Sequence, residues 1–449
     1  MFHLVLLMVA LFAWGADDLK PQSPATTVQS FTAVDGADLM SKLEAAQARG
    51  RAKQTPYWSA YTFDVRPGVA VDPAIHEFHG NMNTIGDTTV FVGTSADGTT
   101  VETRNLAIFL LRDPSSNQIT RMEIYNLERK REYSGYPVYW LGRATNEESL
   151  NYLRALAAAT PLDSMSERAV LGIALHDDAR VSGMLKTFIS SSPNPRVRSS
   201  SVYWLGQTGG EMAFLASLVR NENEDKQIRR SAAHSIGESH DRGTIATLKT
   251  LYSEVKDPDI RRSVISAAGN SDEVDAAVAF LLSIAKSDAD WEARRVAVRR
   301  LGEFQREDVV DEVMKIYASD ASMEVKKAAL QSLAESKSTR AEDKLFEVAR
   351  GTDAIELRRQ AIRSLGEHVS KRSFDFLSAT AQSTDANAEV QVQAVRAISE
   401  RHAEESVPLL IKIARTHPNQ LVRKQAIRSL GDTGDPRAIE FFREVLSNK

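Results

Sequence analysis

The sequence predicts a mostly α-helical solenoid of about nine helical hairpins, preceded by a small β-rich domain. A segment that usually ends in glycine recurs every 31 to 33 residues through the C-terminal half of the chain, and strand-like runs lie between residues 57 and 127. A constant period in this range is typical of stacked units, none of which buries its apolar face alone. The composition of the 449 residues, 42% apolar and 26% charged, is globular, and the lack of cysteine excludes thiol catalysis, Cys-ligated zinc and disulfides.

The N-terminus has the layout of a secretory signal peptide. Leu4 to Phe12 are all apolar and are followed by Ala13-Trp-Gly-Ala16 and two aspartates. We therefore expect residues 1–16 to be a signal peptide, cut after Gly15 or Ala16, and the protein to be periplasmic or secreted. The run is shorter than the roughly 20 residues that span a bilayer, so no stable membrane span is expected in the mature chain. The segment before the run has no Lys or Arg, which leaves an uncleaved apolar N-terminus as the alternative.

Residues 17–54 are expected to form a linker with one short helix over residues 37–48, and residues 55–140 a β-rich domain. The domain contains four strand-like runs separated by turn-forming residues. They are Trp58 to Val65, Thr88 to Val92, Thr99 to Leu111 and Ile119 to Leu127. From residue 147 to residue 449 the pattern is helical throughout.

Each helical repeat ends at a closing residue, and we number positions backward from it. The closing residues are Gly206, Gly237, Gly269, Gly302, Ala334, Gly366, Ser399 and Gly431. Positions −9, −5, −4 and −1 are apolar or small in every copy, as in Leu357, Ala361, Ile362 and Leu365, which places them on one face of a helix. The closing glycine predicts a left-handed helix cap. A second amphipathic helix precedes each copy, and a final helix is predicted over Pro436 to Ser447.

The repeat resembles that of the HEAT-repeat family in its bacterial form, which includes the repeats of lyase-type proteins. The resemblance is carried by Asp in the turn, an apolar-Arg pair, a central Ala and a terminal Leu-Gly, as in Leu357-Arg-Arg-Gln-Ala-Ile-Arg-Ser-Leu-Gly366. It covers about 300 residues. The resemblance implies a curved α-solenoid whose second helices line the concave side and bind macromolecules, but it implies no particular partner.

Charge is distributed unevenly, although the net charge is only −4. The ten-residue windows that end at the eight closing residues contain 18 basic residues and no acidic ones. Position −8 falls inside the apolar arc, so its side chains need buried acceptors; we expect aspartates in the turns to tie these basic residues between adjacent repeats. The basic residues at position −8 are Arg198, Arg229, Arg261, Arg294, Lys326, Arg358 and Arg423, and the aspartates are Asp225, Asp257, Asp288, Asp320 and Asp353.

Two further basic rows lie on the exposed side of the same helices. Position −3 holds Arg299, Arg363, Arg396 and Arg428, each with an acid four residues later (Glu303, Glu367, Glu400 and Asp432), so we expect this row to be paired. Position −7 holds Arg230, Arg262, Arg295, Lys327, Arg359 and Lys424, and we expect no acid at helical spacing inside the same helix. We expect position −7, together with Arg299 and Arg363, to form the stripe that binds an unidentified and acidic protein; a merely solvated face is the alternative.

The sequence contains no recognisable catalytic motif, and we expect no cofactor, no metal and no nucleic-acid partner. Some proteins with similar repeats are enzymes, such as deoxyhypusine hydroxylase, in which repeated His-Glu pairs hold two irons; these repeats contain no His-Glu dipeptide. The cluster around His76 and His79, with Asp72 and Asp87 nearby, lacks zincin spacing, so we interpret these histidines as loop residues.

One pentapeptide, Val-Tyr-Trp-Leu-Gly, occurs at residues 138–142 and again at residues 202–206. We expect Trp140 and Trp204 to be core anchors, with an exposed contact as the alternative. If the first copy is an incipient repeat, the β-domain covers the end of the solenoid. The sequence thus predicts an exported, non-enzymatic interaction scaffold. The alternative is an enzyme or accessory factor, lyase-like or hydroxylase-like, with a site in or beside the β-rich domain.

Overall fold

The structure, a computed structural model, describes residues 31–72, 78–85, 88–95, 102–159, 164–368, 370–383 and 387–447. The predicted signal peptide, His76 and Asp87 lie outside these residues, and the side chain of His79 is also not described. Within them, every helix is too short or too polar to cross a membrane.

The β-rich part contains two sheets and one helix, α1 (Leu39–Lys53). The strands are β1 (Thr32–Ala33), β2 (Tyr57–Thr62), β3 (Val69–Val71), β4 (Phe78–Ile85), β5 (Thr88–Ser95), β6 (Leu106–Arg112), β7 (Ile119–Asn126) and β8 (Val138–Arg143). One sheet has the order β1-β8-β2-β6-β7 and the other the order β3-β5-β4. In the larger sheet β8 runs parallel to β1 and β2, whereas β2, β6 and β7 are antiparallel.

The four predicted strand runs are present as β2, β5, β6 and β7, but the sequence did not indicate β1, which lies in the predicted linker, or β3, β4 and β8. His79, interpreted as a loop residue, lies in β4. Strand β3 has only three residues, and β4 reads FHGNMNTI, in which polar residues obscure the alternation. The pentapeptide at residues 138–142 forms β8, whereas its second copy lies in a helix. The interpretation of the first copy as an incipient repeat is therefore wrong, because cross-strand pairing decided its conformation.

The helical part, within the described residues, consists of nine hairpins and one final helix, as predicted. Its helices are α2 (Asn146–Ala159), α3 (Ser164–Ala174), α4 (Arg180–Ser191), α5 (Pro195–Thr208), α6 (Met212–Arg220), α7 (Lys226–Gly237), α8 (Thr244–Glu254), α9 (Pro258–Ala268), α10 (Val274–Ser287), α11 (Trp291–Leu301), α12 (Glu307–Ser319), α13 (Met323–Glu335), α14 (Thr339–Arg350), α15 (Ile355–Glu367), α16 (Lys371–Gln382), α17 (Ala388–Ser399), α18 (Ala403–Thr416), α19 (Gln420–Thr433) and α20 (Pro436–Ser447). We call the second helix of each hairpin, α3 through α19 in odd numbers, an inner helix, and the others outer helices.

Successive inner helices pack tightly on one another, whereas successive outer helices touch only sparsely. A stack that is tighter on one side curves toward that side, so the inner helices line the concave face. The predicted core positions are confirmed: Leu357, Ala361, Ile362 and Leu365 are all at most 4% exposed.

The closing glycines have a different role from the predicted one. Gly269 and Gly302 have φ of −68° and −64°, so they are not left-handed caps. A Cβ on Gly237 would lie 2.2 Å from the carbonyl oxygen of Ala267, and one on Gly302 would lie 2.7 Å from Cα of Ser332. Glycine is needed here because the next inner helix approaches too closely for a side chain.

The β-rich part covers the first end of the solenoid and shares its hydrophobic core. The ring of Phe63 stacks on His176 with centroids 4.3 Å apart, and Val65 forms an isolated antiparallel bridge with His176. Glu123 of β7, almost fully buried, is paired with Arg168 of α3 at 3.4 Å. The two parts therefore fold against each other rather than being joined by a linker alone.

Candidate functional site

The candidate site is the concave face formed by the inner helices, where the basic positions −7 and −3 lie side by side. Both positions point away from the outer helices because the buried arc of each inner helix is occupied by positions −9, −5, −4 and −1. Two grooves run over this face in the C-terminal half of the solenoid. The middle groove, about 420 Å³, is lined by Arg295, Arg299, Glu324, Lys327, Ala328, Gln331, Glu356, Arg359, Gln360 and Arg363.

The basic residues at position −7 were expected to lack acidic partners, and for most of them this is wrong. Arg262 pairs with Asp259 of its own helix and with Glu292 of the next repeat at 2.6 Å. Lys327 pairs with Glu324 at 2.8 Å and Arg359 with Glu389 at 3.0 Å. A weaker pair joins Arg230 to Asp259 at 3.6 Å.

These acids all occupy position −10, one residue before the windows used to count charge. The row consists of Asp259, Glu292, Glu324, Glu356 and Glu389. An acid at position −10 reaches the basic residue three positions later on its own helix, or the basic residue of the preceding repeat, about 30 residues earlier in sequence. A window extended by one residue would have revealed the first kind of pair.

The basic residues at position −3 were expected to pair with an acid four residues later, and this expectation is also wrong. Within the described residues, Arg299, Arg363, Arg396 and Arg428 make no ion pair, and Glu303 pairs instead with Arg300 at 2.8 Å. At position −7, Arg295 and Lys424 likewise have no acidic partner in that part of the chain. Arg295 lies 6.0 Å from the ring of Trp291, and its Nε is buried without a hydrogen-bond partner.

The two basic rows thus exchange their predicted roles. We call the six residues that lack acidic partners the unpaired cations: Arg295, Arg299, Arg363, Arg396, Lys424 and Arg428. The last five of them are exposed. Because no described carboxylate lies within ion-pair distance of them, their charges are less compensated than those of the paired basic residues.

An acidic row borders the unpaired cations on the other side, directly after the closing residues. It contains Glu303, Glu335, Glu367 and Glu400. Burial, together with the neighbouring Glu303 and Glu367, raises the pKa of Glu335 above its ordinary value. Burial and the neighbouring Glu400 likewise raise the pKa of Glu367. Burial and mutual repulsion thus disfavour the ionised form of these carboxyls.

The position −8 row is structural, as predicted, although its partners differ in part. Arg294 donates from Nε to Asp320 of the next repeat at 2.7 Å, and Arg261 lies 3.3 Å from Asp288. Arg198 pairs instead with Glu224 at 2.8 Å. The predicted partners Asp225 and Asp257 have another role, because they accept backbone N–H groups at the starts of α7 and α9.

A serine and a histidine lie close together at the junction between the β-rich part and the solenoid, but they are not a reactive pair. Nε2 of His176 is 2.8 Å from Oγ of Ser149, which is also 3.2 Å from the hydroxyl of Tyr61. Burial lowers the pKa of His176 to about 4. Ser149 has no exposed surface and His176 only 2%, so no substrate reaches them.

Trp204 is buried at 1% exposure, as predicted, whereas Trp140 is only partly buried and stacks on Phe31 with centroids 5.5 Å apart. In the part of the chain that the structure describes, no group of three or more His, Asp or Glu side chains is placed to hold a metal ion. The histidines of the repeats lie at different positions in their repeats.

Comparison with known proteins identifies the repeat. The stacked hairpins define a helical repeat protein, and a family model described as HEAT repeats matches residues 278–366 and 374–449. Over these two ranges, in the C-terminal part of the solenoid, the chain is similar to HEAT repeats.

Individual similarities are limited. Deoxyhypusine hydroxylase from Phaeosphaeria nodorum is 29% identical over 80 residues, which are 17% of this chain and 24% of that protein. Among solved structures, human deoxyhypusine hydroxylase is 16% identical with a TM-score of 0.27, covering 64% of this chain and 96% of the other. Lipovitellin is 12% identical with a TM-score of 0.43, covering 78% and 36%. This chain matches about a quarter of the curated relative's length.

Proposed function

We propose that this protein is a non-enzymatic scaffold that binds an acidic protein on the concave face of its solenoid. The observation that carries the proposal is the set of unpaired cations, six basic residues that have no acidic partner among the described residues and that line two grooves sharing Arg359. Paired basic residues contribute little, because binding an acidic ligand would first have to break their existing ion pairs. Unpaired ones attract a ligand without that cost.

The middle groove supports the same function. Five basic and two acidic residues line it, and Glu324, one of the two acids, is already paired with Lys327. A groove with excess positive charge, open along the stack, fits an extended acidic segment better than a compact small molecule.

The test is a charge reversal in the middle groove. Arg295→Glu, Arg299→Glu and Arg363→Glu together should weaken binding of a labelled polyglutamate peptide at least about 30-fold, since three opposing contacts are lost and replaced by repulsion. Fluorescence anisotropy at several salt concentrations measures the affinity, which should fall as salt rises.

The matched control carries the same change in charge on the outer helices: Arg340→Glu, Lys371→Glu and Arg415→Glu, all exposed residues. It should bind the peptide nearly as well as the unchanged protein. Equal loss in both variants would show that only net charge matters, and the proposal would then be wrong.

We also propose that the protein is exported, on the basis of the apolar run and small-residue segment at its N-terminus. Fractionation of cells that express a C-terminally tagged chain should place it outside the cytoplasm. Mass spectrometry should find the mature N-terminus at Ala16 or Asp17. An intact Met1 in the cytoplasmic fraction would contradict this proposal.

The alternative is an enzyme with a site in or beside the β-rich part, and its support is the short similarity to deoxyhypusine hydroxylase. Metal analysis of the purified protein distinguishes the two functions. One or more equivalents of tightly bound iron or zinc, lost on substitution of His76 and His79, would favour the enzyme.

A further inference from the structure

The C-terminal end of the concave face has a second groove whose chemistry differs from that of the middle groove. It has a volume of about 440 Å³ and lies between α15, α17 and α19. It is lined by Arg359, Ala388, Glu389, Val392, Gln393, Arg396, Leu421, Lys424, Gln425 and Arg428. We call it the end groove.

Apolar side chains replace charged ones at two row positions in the end groove. Position −10 is acidic in the five preceding inner helices, but in α19 it is Leu421, which is 62% exposed. Position −7 is basic in the five helices from α7 to α15, but in α17 it is Val392. An exposed leucine inside a groove, beside a second apolar residue, offers apolar surface that a side chain of a ligand can cover.

Three basic residues of the end groove have no acidic partner within the described residues, and for Lys424 the replacement at position −10 explains this. Lys424 has Leu421 three residues before it, where Lys327 has its partner Glu324 at 2.8 Å. Arg396 and Arg428 also have no acidic partner in the described part of the chain. The one acid that lines the groove, Glu389, is paired with Arg359 at 3.0 Å. The groove therefore offers three cations around an apolar surface.

A buried amide in the groove wall lacks a hydrogen-bond partner. Gln393 is only 4% exposed, and its Oε1 makes no hydrogen bond. A buried acceptor without a donor is costly, so a ligand that supplies an N–H group gains from meeting it. A peptide main chain provides such donors, whereas the acyl chain of a lipid does not.

We propose that the end groove binds a peptide segment in which a leucine-like side chain lies among carboxylates. The apolar side chain contacts Leu421 and Val392, while the carboxylates contact Arg396, Lys424 and Arg428. Once the side chain of Gln393 turns toward the groove, a main-chain N–H of the segment donates to its Oε1. This inference rests on the proposed function and adds the sequence character of the bound segment.

The experiment compares two labelled twelve-residue peptides, one of alternating Glu and Ser and one in which two of the serines are replaced by Leu. The full chain should bind the leucine-containing peptide about tenfold more tightly, which is roughly 1.4 kcal/mol. Leu421→Ser should remove this preference, so that the two peptides bind this variant with similar affinity. Leu446→Ser on α20, which changes a leucine that is 70% exposed outside the groove, is the control and should keep the preference.

A second variant tests the cations. Leu421→Glu restores the acid that the other helices carry. The new glutamate should pair with Lys424 and weaken the binding of both peptides. Equal affinity of the unchanged protein for the two peptides would overturn this inference while leaving the proposed function intact. Binding of neither peptide would overturn both. If the protein instead binds phosphatidylglycerol vesicles, and Leu421→Ser abolishes that binding while neither peptide preference is seen, the groove binds lipid and the inference is overturned.

Discussion

The two ends of the solenoid differ in what covers them. At the first end, the β-rich part packs on α2 and α3, and Phe63 and His176 stack inside a shared core. At the last end, the residues that elsewhere contact the next repeat meet no further inner helix in the described chain. Ile427 at position −4 is 43% exposed, whereas its counterpart Ile362 is fully buried.

The closing glycines show the same difference. A Cβ on Gly237 would collide with the next inner helix, but one on Gly431 would meet no described atom within 4 Å. The residues of each inner helix are therefore suited to packing against an inner helix on both sides. In α19, which no further inner helix follows within the described residues, the same residues lose their packing role.

The largest expected difference in stability is between the alanine variants of these two glycines. Gly237→Ala should lower the free energy of unfolding by about 3 kcal/mol, because the added methyl group meets a backbone carbonyl that does not move aside cheaply. Gly431→Ala should be neutral or stabilise by up to about 1 kcal/mol, because alanine suits a helix better. Urea unfolding followed by circular dichroism measures both. Equal destabilisation would mean that α19 has a neighbour after all, such as another copy of the chain.

A pH effect of comparable size is expected at the covered end. Burial lowers the pKa of His176 to about 4, against the influence of Asp178, which raises it. The unfolded chain takes up this proton near pH 6.5, so stability is full above that pH and falls as the pH drops toward 4, by up to about 3 kcal/mol.

The measurement is urea unfolding of the protein and of His176→Gln between pH 7.5 and 4.5. The variant is less stable at pH 7.5 but should lose less stability on acidification. His234→Gln, a variant of a partly exposed histidine, should follow the unchanged protein. The same pH slope in all three proteins would contradict the assignment of the effect to His176.

A smaller effect is expected from the arginines at position −8. Arg294 and Arg423 both donate to main-chain carbonyls of the preceding turn, but only Arg294 also holds an acid of the following repeat, Asp320. Arg294→Ala should cost about 1 to 2 kcal/mol more than Arg423→Ala, because it leaves the carboxylate of Asp320 buried without its partner.

The difference in stability between Arg294→Ala and Arg423→Ala should shrink as the pH falls below about 4. Burial alone would raise the pKa of Asp320, but the hydrogen bonds from Arg294 and the main chain of Ser322, together with the charges of Arg294 and Lys326, outweigh burial and hold the pKa below its ordinary value. Protonation of this carboxyl therefore removes what the pair contributes. Equal losses of unfolding free energy for the two alanine variants at neutral pH would show that the ion pair between repeats adds no stability.

Much of the fold could be predicted from the sequence because helical repeats are local. The 32-residue period, the buried positions and the final helix at Pro436 to Ser447 all follow from spacing along one helix or between neighbouring helices. Strand β8 could not be predicted in this way. Its five residues also occur in α5, so its conformation depends on pairing with β1 and β2, far away in sequence.

The sequence by itself determined where the basic residues lie, since positions −8, −7 and −3 follow from the repeat. Only the tertiary structure decided which of them are unpaired. Arg359 is neutralised by Glu389, 30 residues later and in the next repeat, whereas Arg363 lies four residues from Glu367 and does not pair with it. Stacking brings side chains of successive repeats within ion-pair distance, and the choice between these partners and those on the same helix is a property of the stack.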